Sequence, residues 1–175
     1  MREPGPGRAN FDRISRPGVL LDETRERVAK AIHEDYRRHR QAGGGGSVAE
    51  PSMLPWEQLP ESLRDSNRRQ AADIGRKLAA IGCDIEPLLD RNAPPLVFTP
   101  AEVELLARME HDRWRKERES DGWTYALEKD VERKKSPYLV PWEDLSEEIR
   151  DRDRAPIRAM PAVLAAAGFS ICRVG

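Results

Sequence analysis

A histidine, an aromatic residue and two arginines share one helical spacing in the second half of the sequence. They stand at positions i, i+3, i+4 and i+7: His111, Trp114, Arg115 and Arg118. This spacing places the four side chains along one face of a helix. An aromatic face stacks on a planar heterocycle, and arginine binds phosphate bidentately. The pattern therefore favours an aromatic and cationic binding site for a nucleotide.

The same pattern occurs 78 residues earlier, with tyrosine in place of tryptophan. Its members are His33, Tyr36, Arg37 and Arg40. If the two segments pack face to face, their rings and guanidinium groups meet in a shared cleft, which Trp123 and Tyr125 would wall. The candidate ligand-binding residues are therefore Tyr36, Arg37, Arg40, His111, Trp114, Arg115, Arg118, Trp123 and Tyr125.

Trp114 also continues an apolar stripe, so a structural role is the alternative interpretation. Val103 and Leu106 precede it on the same helical face, and aromatic stripes are more often core than site. Trp56 and Trp142 each stand between a proline and a helix start, where packing beneath the helix end is expected. Exposed arginines on a helix usually form only a solvated face.

Metal binding and catalysis are not supported by the sequence. His33 and His111 occupy matching positions, but neither helix has a second His or Cys at ligand spacing. Walker A, GxGxxG, HExxH and nucleophile-elbow motifs are all missing. A hydrolase would need a carboxylate such as Glu110 over the cleft. We expect no metal, no cofactor and no enzymatic activity.

These residues belong to a tandem duplication. Residues 55–65 correspond to 141–151, and 78–85 to 164–171, at an offset of 86. The upstream helices match at an offset of 78, so the first copy lacks eight residues between Gly44 and Pro51. The Gly43–Ser47 run there is either a natural flexible loop or an engineered linker. A duplication fixes the architecture as two similar units.

Capping residues and helix breakers predict four helices and few strands. The last helix is expected to be interrupted by a break or a kink at Pro156 and Pro161. Residues 123–140 are predicted to form a loop or a short hairpin. The expected helices run over Asp22 to Gln41, Glu61 to Ile81, Pro100 to Ser120, and Glu147 to Ala167. The predicted fold is mainly α, with two helical repeats related by a pseudo-two-fold axis.

The predicted organisation is a flexible arm of residues 1–16, a first repeat of 17–86, a linker of 87–98 and a second repeat of 99–175. A net charge of −1 argues against binding of long nucleic acids. The apolar runs are too short to span a membrane. Two cysteines and the lack of a leader-like N-terminus predict a cytoplasmic protein.

The second copy resembles the ryanodine-receptor repeat family, the RyR domain. The residues that carry the resemblance are His111-x-x-Trp114, Gly122-Trp123-Thr124-Tyr125, Pro137-Tyr138-Leu139-Val140-Pro141 and Gly168-Phe169-Ser170-Ile171. The resemblance covers residues 99–172, and its many spaced elements make it specific. The first copy departs from the pattern, because Tyr36 replaces the first tryptophan and the Gly-Trp-x-Tyr segment is absent.

The resemblance implies a tandem helical pair that holds an adenine nucleotide between its repeats. Trp114 and, in weaker form, Tyr36 would stack on the base, and Arg118 and Arg40 match the basic position. The chain is similar to stand-alone prokaryotic or phage-type members, regarded as sensors of nucleotide signals in phage defence. The hypothesis is a non-enzymatic module for ATP, ADP, ADP-ribose or a cyclic oligonucleotide. The alternative is a protein-interaction scaffold, with a partner protein or a homodimer.

Overall fold

The computed structural model describes residues 15–16, 19–20, 22–44 and 50–174. Most of the predicted N-terminal arm (residues 1–14) and part of the glycine run (residues 45–47) lie outside this range. The described chain is mainly helical, as predicted. Its α helices are α1 (Asp22–Ala42), α2 (Glu61–Ala80), α3 (Pro100–Ser120) and α4 (Glu147–Ala166). Short 3-10 helices cover Pro51–Met53, Trp56–Gln58 and Trp142–Asp144.

The strands form three short pairs. Strand β1 (Ser15–Arg16) is antiparallel to β2 (Val19–Leu20), and β3 (Cys83–Pro87) is antiparallel to β6 (Phe169–Arg173). Strand β4 (Thr124–Tyr125) is parallel to β5 (Lys135–Ser136). Asp130 and Lys135 also form an isolated antiparallel bridge with two backbone hydrogen bonds, so residues 123–140 contain both a loop and one hairpin-like residue pair.

The described chain divides into two compact units. One unit contains residues 1–96 and 161–175, and the other contains residues 97–160. In the first unit, α1 packs on α2, and the side chains of Val28, Ile74 and Leu78 are buried. In the second unit, the buried side chains include Val103 and Leu106. Burial of one such side chain contributes about 1.5–3 kcal/mol, so these faces hold the helices in place.

The N-terminus of α3 is set by the predicted capping box. The Thr99 hydroxyl accepts a hydrogen bond from the Glu102 backbone N–H at 3.3 Å. The Glu102 carboxylate in turn accepts one from the Thr99 N–H at 2.8 Å. Pro100 occupies the first helical turn, where its missing N–H costs nothing. The predicted start of this helix is therefore confirmed.

Helix α4 corrects one expectation from the sequence. Of the break or kink expected at Pro156 and Pro161, the break is absent, because the helix continues from Glu147 to Ala166. Its buried side chains recur at helical spacing from just after Pro156 and across Pro161: Ile157, Met160, Val163 and Leu164. We attribute the continuity to this apolar face, because its burial offsets the backbone hydrogen bonds that the prolines lose.

Each copy holds its histidine by the same backbone contact. Nε2 of His33 lies 2.8 Å from the Leu54 carbonyl oxygen, and Nε2 of His111 lies 2.8 Å from that of Val140. Both histidine side chains are buried. The two carbonyls stand at the 86-residue offset of the duplication. The matching histidines are therefore anchored in the same way.

The tryptophan that follows each anchored segment is buried beneath an arginine. Trp56 is 6 % exposed and Trp142 is 5 % exposed, which confirms the predicted packing beneath a helix end. The Arg68 guanidinium lies 5.9 Å from the Trp56 ring, and the Arg154 guanidinium lies 5.8 Å from the Trp142 ring. These tryptophans stabilise the fold and are not exposed to a ligand.

Candidate functional site

The C-terminal half of α3 places His111 beneath an aromatic platform. The imidazole ring of His111 stacks on the indole of Trp114, with ring centroids 5.8 Å apart and an interplanar angle of 29°. Trp114 is half-buried, whereas His111 is 2 % exposed. Trp114 therefore packs on a core histidine and also reaches the surface.

One turn later, Arg118 contacts two tryptophans. Its guanidinium lies 6.0 Å from the centre of the Trp114 ring and 5.1 Å from that of Trp123. Both distances are within the range of a cation–π interaction. The predicted residues His111, Trp114, Arg118 and Trp123 therefore form one connected cluster.

The end of α3 explains why Trp123 lies beside Arg118. Gly122 has a φ of +85°, a conformation that glycine adopts without strain. Its N–H donates to the Glu119 carbonyl at 3.0 Å, and the N–H of Trp123 donates to the Arg118 carbonyl at 2.9 Å. This pair of bonds is a Schellman motif, which turns the chain back over the last helical turn.

Arg118 differs from its counterpart in the first copy in its charge partners. Arg40 pairs with Glu50 at 3.0 Å. Arg118, by contrast, forms no ion pair with any carboxylate in the described part of the chain. Its charge is therefore available to an anion that approaches the two tryptophan rings.

A pocket of about 190 Å³ opens beside Trp114. An apolar cavity of about 150 Å³ is known to hold one benzene ring, so this pocket suits one planar ring system and not a whole nucleotide. Its walls come from α3, α4 and the segment between β5 and α4. The lining residues are Glu110, His111, Trp114, Tyr138, Ile149, Arg152, Asp153 and Pro156.

The lining includes residues that helical spacing on α3 alone did not identify. Tyr138, Ile149, Arg152 and Asp153 belong to other segments, so no periodicity on α3 points to them. One difference between the copies nevertheless marks Asp153 in the sequence. Asp153 corresponds to Asn67 at the 86-residue offset, which means that only the second copy has a carboxylate at this position.

Asp153 contacts the buried histidine. Nδ1 of His111 lies 3.2 Å from the Asp153 carboxylate. Burial is the largest influence on the pKa of His111 and lowers it. The hydrogen bonds to Asp153 and to the Val140 carbonyl, together with the Asp153 charge, outweigh burial and raise the pKa above its ordinary value of 6.5. The floor of the pocket therefore favours a protonated imidazole.

The other charged groups of the pocket have intrahelical partners. The Glu110 carboxylate accepts hydrogen bonds from Arg113 at 2.8 and 3.0 Å. Arg152 pairs with Glu148 at 2.5 Å, but its side chain is 62 % exposed. Since an exposed pair of this kind is worth little, Arg152 is able to exchange Glu148 for a ligand anion.

The remaining predicted residues are engaged elsewhere or lie on the surface. Arg115 pairs with Glu119 at 3.3 Å, and the Arg37 guanidinium contacts Glu34 and the Met53 carbonyl. Tyr36 is 43 % exposed and Tyr125 is 52 % exposed. None of these four lines the pocket of residues 97–160.

The described residues contain no group of three His, Cys, Asp or Glu side chains that could hold a metal ion. Within the same residues, every helix is too short or too polar to cross a lipid bilayer. Neither finding identifies a ligand, so the aromatic and cationic cluster is the main candidate site.

The fold and the site of residues 97–160 define a small helical domain with an aromatic pocket beside an arginine. Comparison with protein families places a known domain over these residues. The model of the RyR domain family matches residues 99–173, which is the second copy of the duplication. This match identifies the segment of residues 99–173 as a RyR domain.

Proposed function

We propose that this chain is a non-enzymatic binding module for an adenine nucleotide or a nucleotide-derived signal. ATP, ADP, ADP-ribose and cyclic oligonucleotides are the candidate ligands. The proposal depends mainly on one observation: the Trp114 ring lines the pocket and also contacts Arg118. Such a module would report nucleotide signals, including those that arise in phage defence.

The two parts of a nucleotide have separate places in this proposal. The pocket volume of about 190 Å³ accommodates a base against Trp114. The phosphates remain outside the pocket, where Arg118 has no carboxylate partner among the described residues. Arg152 at the pocket is a second cation that an anionic group can reach.

The affinity of such a site depends on several contacts acting together. One stacked base contributes about 1–3 kcal/mol, and one charge-assisted hydrogen bond about 1.5–3 kcal/mol. A micromolar dissociation constant corresponds to about 8 kcal/mol. Stacking on Trp114 together with one arginine contact is therefore not sufficient, and further pocket residues must contribute.

We also propose that the two copies are related by a pseudo-two-fold axis. In the β3–β6 pair, Ile85 lies opposite Ile171, its own counterpart at the 86-residue offset. A two-fold axis through this residue pair exchanges β3 and β6. The identical anchoring of His33 and His111 supports the same relation.

A thermal-shift panel of ATP, ADP, ADP-ribose, NAD and cyclic oligonucleotides tests the binding proposal. A ligand at about 100 times its dissociation constant stabilises the folded state by about 2.7 kcal/mol. In a chain of this size the melting temperature should rise by about 5–10 °C. A panel without any shift, from cooperatively folded protein, would contradict the proposal.

A pair of matched variants locates the site. Trp114→Ala should abolish the shift, whereas Tyr36→Ala, at the equivalent position of the first copy, should reduce it less. Trp114→Phe keeps an aromatic face and should retain partial binding, which separates loss of stacking from loss of fold. If Trp114→Ala binds as well as wild type, Trp114 has only a structural role.

Binding without turnover is part of the proposal. Incubation of the protein with the ligand that gives the shift, followed by chromatography of the nucleotide, should return the ligand unchanged. A product that accumulates with time, and that no longer forms in Glu110→Gln, would contradict the proposal. It would favour a hydrolase that uses the Glu110 carboxylate.

A protein-interaction scaffold remains the second candidate. The loop between β4 and β5 exposes Leu127 (84 %) and Val131 (63 %), next to the half-exposed Tyr125. Exposed apolar groups of this kind favour a protein partner. Leu127→Ser combined with Val131→Ser should remove such an interaction and leave nucleotide binding intact.

A further inference from the structure

Both ring nitrogens of His111 face hydrogen-bond acceptors. Nε2 lies 2.8 Å from the Val140 carbonyl oxygen, and Nδ1 lies 3.2 Å from the Asp153 carboxylate. A neutral imidazole carries one N–H and one lone pair, whereas an imidazolium carries two N–H groups. A neutral His111, itself 2 % exposed, would leave one of these part-buried acceptors facing a ring lone pair. The geometry therefore favours the charged ring.

The first copy provides a natural comparison. Nε2 of His33 faces the Leu54 carbonyl at 2.8 Å, and no described residue pairs with its Nδ1. The counterpart of Asp153 is Asn67, whose amide donates to the Leu63 carbonyl at 2.8 Å. Among the described residues, a second acceptor at the other ring nitrogen is therefore present only at His111 of these two histidines.

The other groups near His111 do not replace Asp153. Tyr138 and Arg152 line the same pocket from the segment after β5 and from α4, and Arg152 pairs with Glu148. On α3 itself, Asp112 adds a favourable negative charge, and Glu110 is held by Arg113. The carboxylate that contacts the ring nitrogen is therefore that of Asp153 alone among the described residues.

The protonated ring lies directly under the aromatic platform. The stacking of His111 on Trp114, with centroids 5.8 Å apart, places a cation near the face of an indole. Loss of the proton removes this attraction and leaves an unpaired acceptor beside the ring. The position of the Trp114 indole therefore depends on the protonation of His111.

We propose that Asp153 is a positioning residue of the candidate site: it holds His111 as an imidazolium, which fixes the Trp114 platform, so that ligand affinity falls when His111 loses its proton. The part that concerns ligand affinity rests on the proposed nucleotide-binding function. The part that concerns His111 and Trp114 rests on the geometry and is testable without ligand.

The direction of the pH dependence follows from the contacts. The pKa of His111 is raised in the folded state above 6.5, because Asp153 and Val140 outweigh burial. The stabilising contribution of the charged ring is fully present below 6.5, and it is lost as the pH rises through the folded-state pKa. The platform is therefore expected to loosen on the alkaline side.

An NMR titration of the ligand-free protein tests the positioning role. In wild type, the His111 imidazole signals should titrate above pH 6.5, and the Trp114 indole N–H signal should shift with the same midpoint. In Asp153→Asn, which gives the second copy the residue of the first, both midpoints should move to lower pH. Assignment uses His39→Gln and Trp114→Phe.

A charge-matched control separates the contact between Asp153 and His111 from the long-range electrostatic effect of any carboxylate on α4. Asp151→Asn removes an exposed carboxylate from the same helix, where Asp151 pairs with Arg158 at 3.1 Å. This variant should leave the His111 midpoint close to that of wild type. An unchanged midpoint in Asp153→Asn, or a Trp114 signal that does not follow His111, would overturn the inference.

The affinity part is measured with ADP-ribose, which carries no phosphate monoester. A monoester titrates near pH 6 and would obscure the histidine. Between pH 5.5 and 8.5 the affinity should fall several-fold as His111 deprotonates, and in Asp153→Asn the fall should begin at lower pH. Binding that is independent of pH contradicts the coupling. Lack of ADP-ribose binding at every pH counts against this ligand only, because the ligand-free titration still decides the role of Asp153.

Discussion

Two arginines at equivalent positions have different surroundings. Arg40 is paired with Glu50, whereas Arg118 lies over Trp114 and Trp123 without a carboxylate partner in the described part of the chain. An unpaired guanidinium on an aromatic surface retains its capacity for bidentate contact with phosphate. The charge partners of these two arginines therefore distinguish the two copies more clearly than the sequence pattern does.

This difference predicts the effect of Arg118→Gln. Removal of one charge-assisted contact costs about 1.5–3 kcal/mol, so ADP binding should weaken by about 10- to 100-fold while adenosine binding changes little. Calorimetric titration of both ligands provides the measurement. Arg40→Gln serves as the matched control and should have a smaller effect. Equal losses for adenosine and ADP would contradict a phosphate contact.

Two glycines at equivalent positions provide a second matched comparison. Gly82 and Gly168 have φ values of +65° and +89°, so alanine at either position should cost about 1–2 kcal/mol. A Cβ at position 168 would also lie 2.7 Å from the Arg27 guanidinium, which donates to the Ala167 carbonyl. Nothing lies within 4 Å of a Cβ at position 82.

Urea unfolding should therefore show a larger loss of stability in Gly168→Ala than in Gly82→Ala. The expected difference is about 0.5–1.5 kcal/mol, the contribution of one hydrogen bond. Equal losses would show that Arg27 moves aside without cost.

Helical spacing on α3 was sufficient to predict that His111, Trp114 and Arg118 lie together. It was not sufficient to find Asp153 or Tyr138, because these residues reach the pocket from other segments. Such contacts depend on tertiary packing, which periodicity within one helix does not contain. The 86-residue offset aligns Asp153 with Asn67, and this difference in charge is the sequence signal that points to Asp153.

At the scale of elements, the capping box of α3 sets the register of its binding face. Thr99→Ala removes the side-chain acceptor for the Glu102 N–H, and loss of an N-cap costs about 1 kcal/mol. Chemical unfolding provides the measurement. Thr99→Ser keeps the hydroxyl and should remain within about 0.5 kcal/mol of wild type. A full loss in Thr99→Ser would point to the methyl group instead of the cap.

The predictions for the elements succeeded where a local interaction decides the conformation. The capping box and Gly122 mark both ends of α3 because caps act within one helical turn. The predicted break in α4 is wrong because proline lowers helix stability only locally, while the buried face that includes Ile157 and Leu164 continues across Pro161. The parallel pairing of β4 and β5 likewise depends on contacts that a local pattern does not specify.

At the scale of the whole molecule, both copies contain a glutamate that is paired with the arginine over the buried tryptophan. Hydrogen bonding to Arg68 lowers the pKa of Glu26, and hydrogen bonding to Arg154 lowers the pKa of Glu104. The indole of Trp142 also donates to Glu104 at 3.0 Å. The duplication thus repeats an electrostatic network as well as a sequence.

These networks predict a loss of stability in acid. Because both pKa values are depressed, the stabilisation is present above 4.5 and is lost as the pH falls through the folded-state values. Urea unfolding between pH 3 and 6 should show this decline, and Glu104→Gln should remove part of it. A decline of the same size in Glu104→Gln would contradict the assignment. The effect should be modest, since both glutamates are largely exposed.

The duplication predicted from the sequence is accompanied by equivalent contacts in both copies. Its 86-residue offset relates Trp56 to Trp142 and Arg68 to Arg154, and the structure pairs each tryptophan with its arginine. The sequence also predicted the mainly helical fold and the similarity of the second copy to the RyR domain family. The pseudo-two-fold relation between the repeats and the identity of the ligand stay predictions, because the sequence pattern of one copy specifies neither.

The most direct measurement is an indole NMR titration of the protein with ADP-ribose and, in parallel, with ADP. The proposed site predicts that the Trp114 and Trp123 N–H signals shift with one saturation curve, whereas the buried Trp56 and Trp142 signals change little. Spectra in which both ligands leave Trp114 and Trp123 unchanged, from a well-folded protein, would contradict binding of these adenine nucleotides on this surface.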